Sequence, residues 1–152
     1  MTAEIVRIRT VHRVFKEFLD WRGPTLEAGE VDTYRETLAS FERSINAHGP
    51  RRLEPSDKSI FRTHFVPGKG YRRAFSDVFG PEKIPAEIRY FLKYFLVNTA
   101  PRADVIHAAP NVVADLCAWL VFQDYVPDEE LEQVIERIGA STSPRDQDSV
   151  NF

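Results

Sequence analysis

The sequence holds a single cysteine in 152 residues, Cys117. No internal disulfide can form, so the cross-linked scaffold of a small secreted domain is excluded and a reduced setting is expected. Cys117 lies in "ADLCAWL", where a free thiol reads as a small buried hydrophobe with apolar neighbours that keep it inert. Glycine is also scarce, at seven residues, and few stretches alternate as strands do; both favour helices. The longest apolar stretch, "VVADLCAWLVF", is interrupted by Asp115 and is too short to span a bilayer. "MTAEIVRIRTVHRVF" is charged throughout and does not read as a secretory signal. A soluble, cytoplasmic protein with no membrane partner is expected. The four histidines, His12, His48, His64 and His107, are scattered and have no second cysteine beside them. No metal site, cofactor or small-molecule substrate is therefore identified.

What is present is a chain of one domain's length, long enough to bury roughly 70% of its unfolded surface. Its net charge of −3 is unevenly spread. Residues 51–73 carry seven Lys or Arg against Glu54 and Asp57, whereas residues 124–152 carry eight carboxylates against Arg137 and Arg145. A basic middle can meet phosphate, or it can meet the acidic end of its own chain.

Helical spacing recurs along the sequence. Ile5, Ile8, Phe15, Phe18 and Leu19 predict a first helix over 3–22, stopped by Gly23-Pro24. Val31, Tyr34, Leu38, Phe41 and Ile45 form one stripe of a second helix, with Gly49 at its stop position. "PSDKSIFRTHF" suggests a short helix capped by Ser56, and "YRRAFSDVF" another. Residues 86–98 predict a helix with Ile88, Phe91, Leu92 and Phe95 inward. Pro110 opens the next helix at its first turn or kinks a longer one. From Asn111 to Tyr125 apolar residues run nearly all round, as expected of the most buried helix. Residues 127–139 form a last amphipathic helix whose acidic first turn suits its N-terminus, and 140–152 have no period and read as a disordered tail. The expected fold is an all-α, single-domain bundle of five to seven helices over 1–139, with an irregular basic insertion at 48–83.

Within that insertion "VPGKGYRR" invites comparison with a phosphate loop. Such a loop needs Gly-Lys-Ser/Thr after a buried strand; here Gly70 follows Lys69 and no apolar strand leads in. A nucleic-acid patch is the other reading. Arg51, Arg52, Lys58, Arg62, Lys69, Arg72 and Arg73 supply cations for phosphates, and Tyr71 and its aromatic neighbours supply stacking faces. Against it stands the reading that Ile60, Phe61, Phe65 and Phe75 anchor the segment while its cations are solvated. Elsewhere Cys117 with His107 or His64 makes a poor catalytic pair, and His107 reads as a cap or packing residue. Asp115, on an apolar helix, needs a cation, for which Arg89, Lys93 and Arg102 are candidates. Glu129, Glu130, Glu132 and Glu136 read as an exposed helix face. No convergent catalytic set is visible, and no enzyme is expected.

"FKEFLDWRG" followed by Tyr34-x-x-x-Leu38-x-x-Phe41-x-x-x-Ile45, with "DLCAWLVFQDYVPDEE" near the far end, resembles the N-terminal, core-binding domain of tyrosine recombinases and integrases. That domain is SAM-like, helical and clamps DNA. The same pattern resembles stand-alone bacterial and archaeal helical proteins in which "FGPEKIP" precedes an "FLKYFL"-type helix. The resemblance covers about residues 11–47 and 103–130. Glu30 stands where the recombinase pattern has threonine, and the catalytic domain has no counterpart, so strand exchange is not implied. What the resemblance implies is DNA contact; joined to the charge pattern, the leading expectation is a non-enzymatic helical binding module contacting DNA or RNA through residues 51–73, helped by Arg7, Arg9, Arg13 and Arg22. The alternative is a protein–protein module or homodimer sharing apolar helix faces.

Overall fold

Helix α1 (Val11–Arg22) starts where Thr10 turns extended and accepts a hydrogen bond from the Arg13 N–H with its hydroxyl. This helix therefore begins at Val11, because a threonine with an extended backbone is a good N-cap and a poor interior residue; the expected start at residue 3, with Ile5 and Ile8, lies outside the described residues. The computed structural model describes residues 9–62, 65–66, 71–72, 74–99 and 102–133, with the side chains of 62, 65–66 and 71–72 outside the described set. Val11, Val14, Phe15 and Phe18, at helical spacing, form its buried stripe.

Helix α2 (Ala28–His48) opens on a capping box: the Glu30 carboxylate accepts from the Glu27 N–H at 3.0 Å while the Glu27 side chain caps the first turn. This reciprocal cap accounts for glutamate at position 30. Leu38, Phe41 and Ile45 are buried as the spacing predicts, and Tyr34 packs at the margin. Gly49, however, has an ordinary right-handed helical backbone. It is glycine for a different reason: a Cβ there would lie 2.9 Å from the Phe75 ring, closer than carbon atoms approach.

Helix α3 (Pro55–Arg62) begins one residue before Ser56, so Ser56 is inside the helix and is not its cap. Strands β1 (Phe65–Val66) and β2 (Tyr71–Arg72) pair antiparallel, Phe65 opposite Arg72 and Val66 opposite Tyr71. Tyr71 and Arg72 are therefore in a hairpin rather than a short helix, and only Phe75–Asp77 forms a helical turn. Ile60 is about half exposed, whereas Phe75 is buried against Phe79 and beside Phe61. The Val11 N–H donates to the Phe79 carbonyl at 2.9 Å, tying the end of this segment to the start of α1.

Helix α4 (Ile84–Tyr90) runs into a π-helical turn (Phe91–Phe95) and then α5 (Leu96–Asn98). The Leu96 N–H donates to the carbonyl of Phe91, five residues back. The wider turn carries one extra residue, so Leu96 rather than Phe95 follows Ile88 and Phe91 into the core. Helix α6 (Ala103–Phe122) contains Pro110 in its interior, so the longer of the two expected helices is formed. It ends where Asp124 takes a positive φ of 66° and the Tyr125 N–H donates back to the Leu120 carbonyl. Residues 128–133 are helical; Gly139 and the expected tail lie outside the described residues.

The described residues form an all-α bundle with one short hairpin. Helix α2 packs against α1, α4 and, most extensively, α6. The core carries an aromatic line: Phe15 meets Phe41 at 5.4 Å, Phe41 stacks on Phe91 at 4.7 Å, and Phe18 meets Trp119 at 5.4 Å. Helix α6 is long and apolar enough to cross a membrane, but Val105, Ala109, Val112, Val113, Leu116 and Leu120 are buried inside the bundle. Its remaining side is not.

Burial pushes the Cys117 thiol up from its ordinary value of 9.0 to about 12. A pKa raised in the folded state contributes stability that is fully present below the unfolded value and lost as pH rises through the folded one. Stability should therefore fall between pH 9 and about 12. Urea unfolding across that range should show a shallower pH slope for Cys117→Ala; an unchanged slope would assign the alkaline loss to other groups.

Candidate docking face on helix α6

Two large side chains stand in solvent beside one another in the fold. Trp21, at the end of α1, is 53% exposed, and Phe122, at the end of α6, is 79% exposed. Together with Asp115, Ala118 and Trp119 they line a concavity of about 320 Å³. A larger one of about 670 Å³ lies on the other side of Ala118, formed by Ala114, Cys117, Ala118 and Val121 of α6 and by Leu131. Ala118 belongs to both, so it is the low ridge between two adjoining hollows.

Spacing along α6 explains the arrangement. His107, Asn111, Ala114 and Ala118 follow steps of four, three and four, and all four are exposed. They define a stripe opposite the buried one. Its second half carries only alanine, then Phe122, so the helix surface is flat and apolar between two raised walls. Trp21 builds one wall. Residues 128–133 build the other, held down by buried Leu131. Trp119, behind the smaller hollow, is buried, and its indole N–H has no acceptor among the described residues.

Asp115 fixes the wall near Trp21. The Arg22 Nε donates to Asp115 Oδ2 at 2.6 Å, and the Tyr34 hydroxyl donates to the same oxygen at 2.8 Å. The Asp115 carboxylate raises the Arg22 pKa above its usual value; burial, then the Asp115 bond, raises that of Tyr34. Asp115 thus pairs with Arg22, not with Arg89, Lys93 or Arg102. Arg102 instead reaches Asp32 at 3.1 Å and its near neighbour Asp104 at 3.1 Å. Tyr125 holds the C-terminal end of α6 in place by donating to Glu17 Oε1 at 2.6 Å, and Glu17 also accepts from Arg9.

No described residue of the basic segment lines either hollow. Arg51, Arg52 and Lys58 are exposed. Arg52 is committed, its Nε 3.3 Å from buried Glu87, which also takes His48 Nδ1 at 3.0 Å. Asp57 pairs with Lys83 at 2.6 Å and so does not neutralise its neighbours. Arg51 and Lys58 have no ion-pair partner among the described residues. Tyr71 and Arg72 lie on β2; the side chains of Arg62, Tyr71 and Arg72 are outside the described set, as are Lys69 and Arg73 altogether. The helping cations are scattered: Arg9 and Arg22 are engaged by Glu17 and Asp115, Arg13 is exposed, and Arg7 lies outside the described residues. No ion pair joins 128–133 to the basic segment among the described residues; Asp128 and Glu132 line the larger α6 hollow.

The chain matches no family model, no curated protein and no solved structure.

The chemical candidates stay separate. Cys117 is buried, and His107 is exposed rather than packed or capping; His64 lies outside the described residues. Glu129, Glu130 and Glu132 are exposed as the spacing predicts; Glu136 lies outside the described residues. Among the described residues no three His, Cys, Asp or Glu side chains converge as metal ligands. Sequence reasoning missed Trp21 and Phe122, since large aromatics on amphipathic helices are assigned to the core by default. The one available signal was position: each is at a helix's last turn, next to a Gly-Pro or a Gln-Asp stop.

Proposed function

We propose that this chain is a non-enzymatic helical binding module that docks another protein on the outer face of α6. One observation carries the reading: Trp21 and Phe122 stand exposed at the rim of an apolar hollow that Ala118 joins to a larger one. Contiguous apolar surface with aromatic anchors marks interaction sites, because leaving it in water costs free energy that a partner recovers. The expected outcome is tested with a photo-cross-linking residue at position 122 in a native extract. It should give a discrete protein adduct that excess unlabelled wild-type chain suppresses and Phe122→Asp does not. No adduct, or equal suppression by both chains, removes this reading.

Nucleic-acid contact is a second reading, favoured by Arg51 and Lys58, exposed cations without carboxylate partners among the described residues. The recombinase-like spacing motivates it as well. Binding to labelled DNA or RNA should then weaken with salt, and Arg51→Ala or Lys58→Ala should each reduce the log–log salt slope by about 0.7 to 0.9. Absence of binding at low salt rejects it.

A further inference from the structure

Among the described residues, the charged side chains that line the α6 hollows are carboxylates: Asp128 and Glu132 in the larger, Asp115 in the smaller. Asp124 and Glu129 are exposed on the adjoining turns. Asp115 is neutralised by Arg22, but Asp124, Asp128, Glu129 and Glu132 have no ion pair among the described residues. A second copy of the chain would bring the same acidic rim against this one, and like charges facing each other across an interface are unfavourable. An apolar surface with an uncompensated acidic margin suits a partner of opposite margin.

Resting on the docking reading above, we propose that the occupant is a basic amphipathic helix of a partner protein, its apolar side against Ala114, Ala118 and Phe122 and its Lys or Arg side toward Asp124, Asp128 and Glu132. The small residues let a helix axis approach α6 closely, and the two hollows on either side of Ala118 receive side chains one helical turn apart. Trp21 closes over the helix at one edge. The acidic turn at 124–132 then sets orientation and speeds encounter, while the apolar contact holds the complex.

The test uses the full chain and two synthetic 18-residue helical peptides with the same leucine face, one with lysine and one with glutamate elsewhere. Fluorescence anisotropy should show the lysine peptide binding and the glutamate peptide not, with affinity falling as salt rises. The double variant Asp128→Asn/Glu132→Gln should weaken binding about three- to tenfold, the range expected of two partly exposed ion pairs. Ala118→Trp, which fills the ridge between the hollows, should abolish it, as should Phe122→Asp; both positions are exposed, and unchanged circular dichroism confirms folding. Equal binding of both peptides overturns the proposal, as does lysine-peptide binding undiminished by Ala118→Trp, which would place the peptide elsewhere on the acidic surface. Dimerisation seen by light scattering and abolished by Ala118→Trp makes the occupant a second copy and overturns it too. None of these results removes the docking reading, which fails separately if position 122 yields no suppressible adduct.

Discussion

Phe41→Ala is expected to lower stability by about 3–5 kcal/mol, the usual cost of emptying a fully buried phenylalanine site. Phe41 is at the junction of three helices. Its ring has no solvent exposure, stacks on Phe91 of the α4 extension and tilts against Phe15 of α1. The Phe91 ring is itself met by Phe95 at 6.5 Å, which limits its movement into the space. Typical domains are stable by about 5–15 kcal/mol, so the variant should approach the unfolding threshold. Urea denaturation should show a lower midpoint with the same slope, and Phe41→Leu should recover a large part of the loss. A loss below about 1 kcal/mol would mean that the aromatic line is not a cooperative core.

Glu87→Ala carries the second large effect, about 2–3 kcal/mol. Glu87 is a carboxylate with 2% exposure, on the α4 face that meets α2. It receives His48 Nδ1 and the Arg52 Nε, while the His48 ring stacks on Tyr90 at 3.8 Å. Removing it takes the hydrogen-bond partner from His48 and the ion-pair partner from Arg52, and His48 is the more buried of the two. The figure is below the 3–5 kcal/mol typical of breaking a fully buried pair because Arg52 is half exposed and water can take over its guanidinium. Arg52→Ala alone should accordingly cost less than about 1 kcal/mol. Thermal unfolding of the two single variants and the double variant separates the contributions; equal losses from the two single variants would contradict the assignment.

Much of this architecture was legible in the sequence, and the exceptions share a cause. The stripes of α1 and α2 were readable because apolar residues at three- and four-residue steps have no other common explanation. Phe95 does pack against the core, partly buried, but Leu96 escapes the spacing because a π-helical turn adds one residue without leaving a compositional mark. Gly49 stands at the stop of α2 as its sequence context predicts, but that its missing side chain also makes room for Phe75 is set by a residue distant in sequence. Arg22 as partner of Asp115, 93 positions away, is likewise a product of folding and not of local pattern. For the candidate site the limit is sharper. Periodicity tells that α6 is apolar on most sides but not how many sides the bundle has helices to cover. The exposed face is the side left over, and its acidic border was visible only as a charge excess near the end of the chain.

The π-helical turn at Phe91–Phe95 has a consequence for how this chain tolerates change in length. Ile84, Ile88 and Phe91 already satisfy the ordinary helical pitch, and the turn holds one residue more than that pitch requires. Excision of a single residue there would let an unbroken α-helix carry Leu96 to the place it now reaches by the wider path. Elsewhere in α1, α2 or α6 the same excision would rotate every downstream side chain by about 100° and turn the core face toward water. The segment between Phe91 and Leu96 is thus the point in the bundle where a one-codon deletion is expected to be absorbed, with the packing on either side kept in phase.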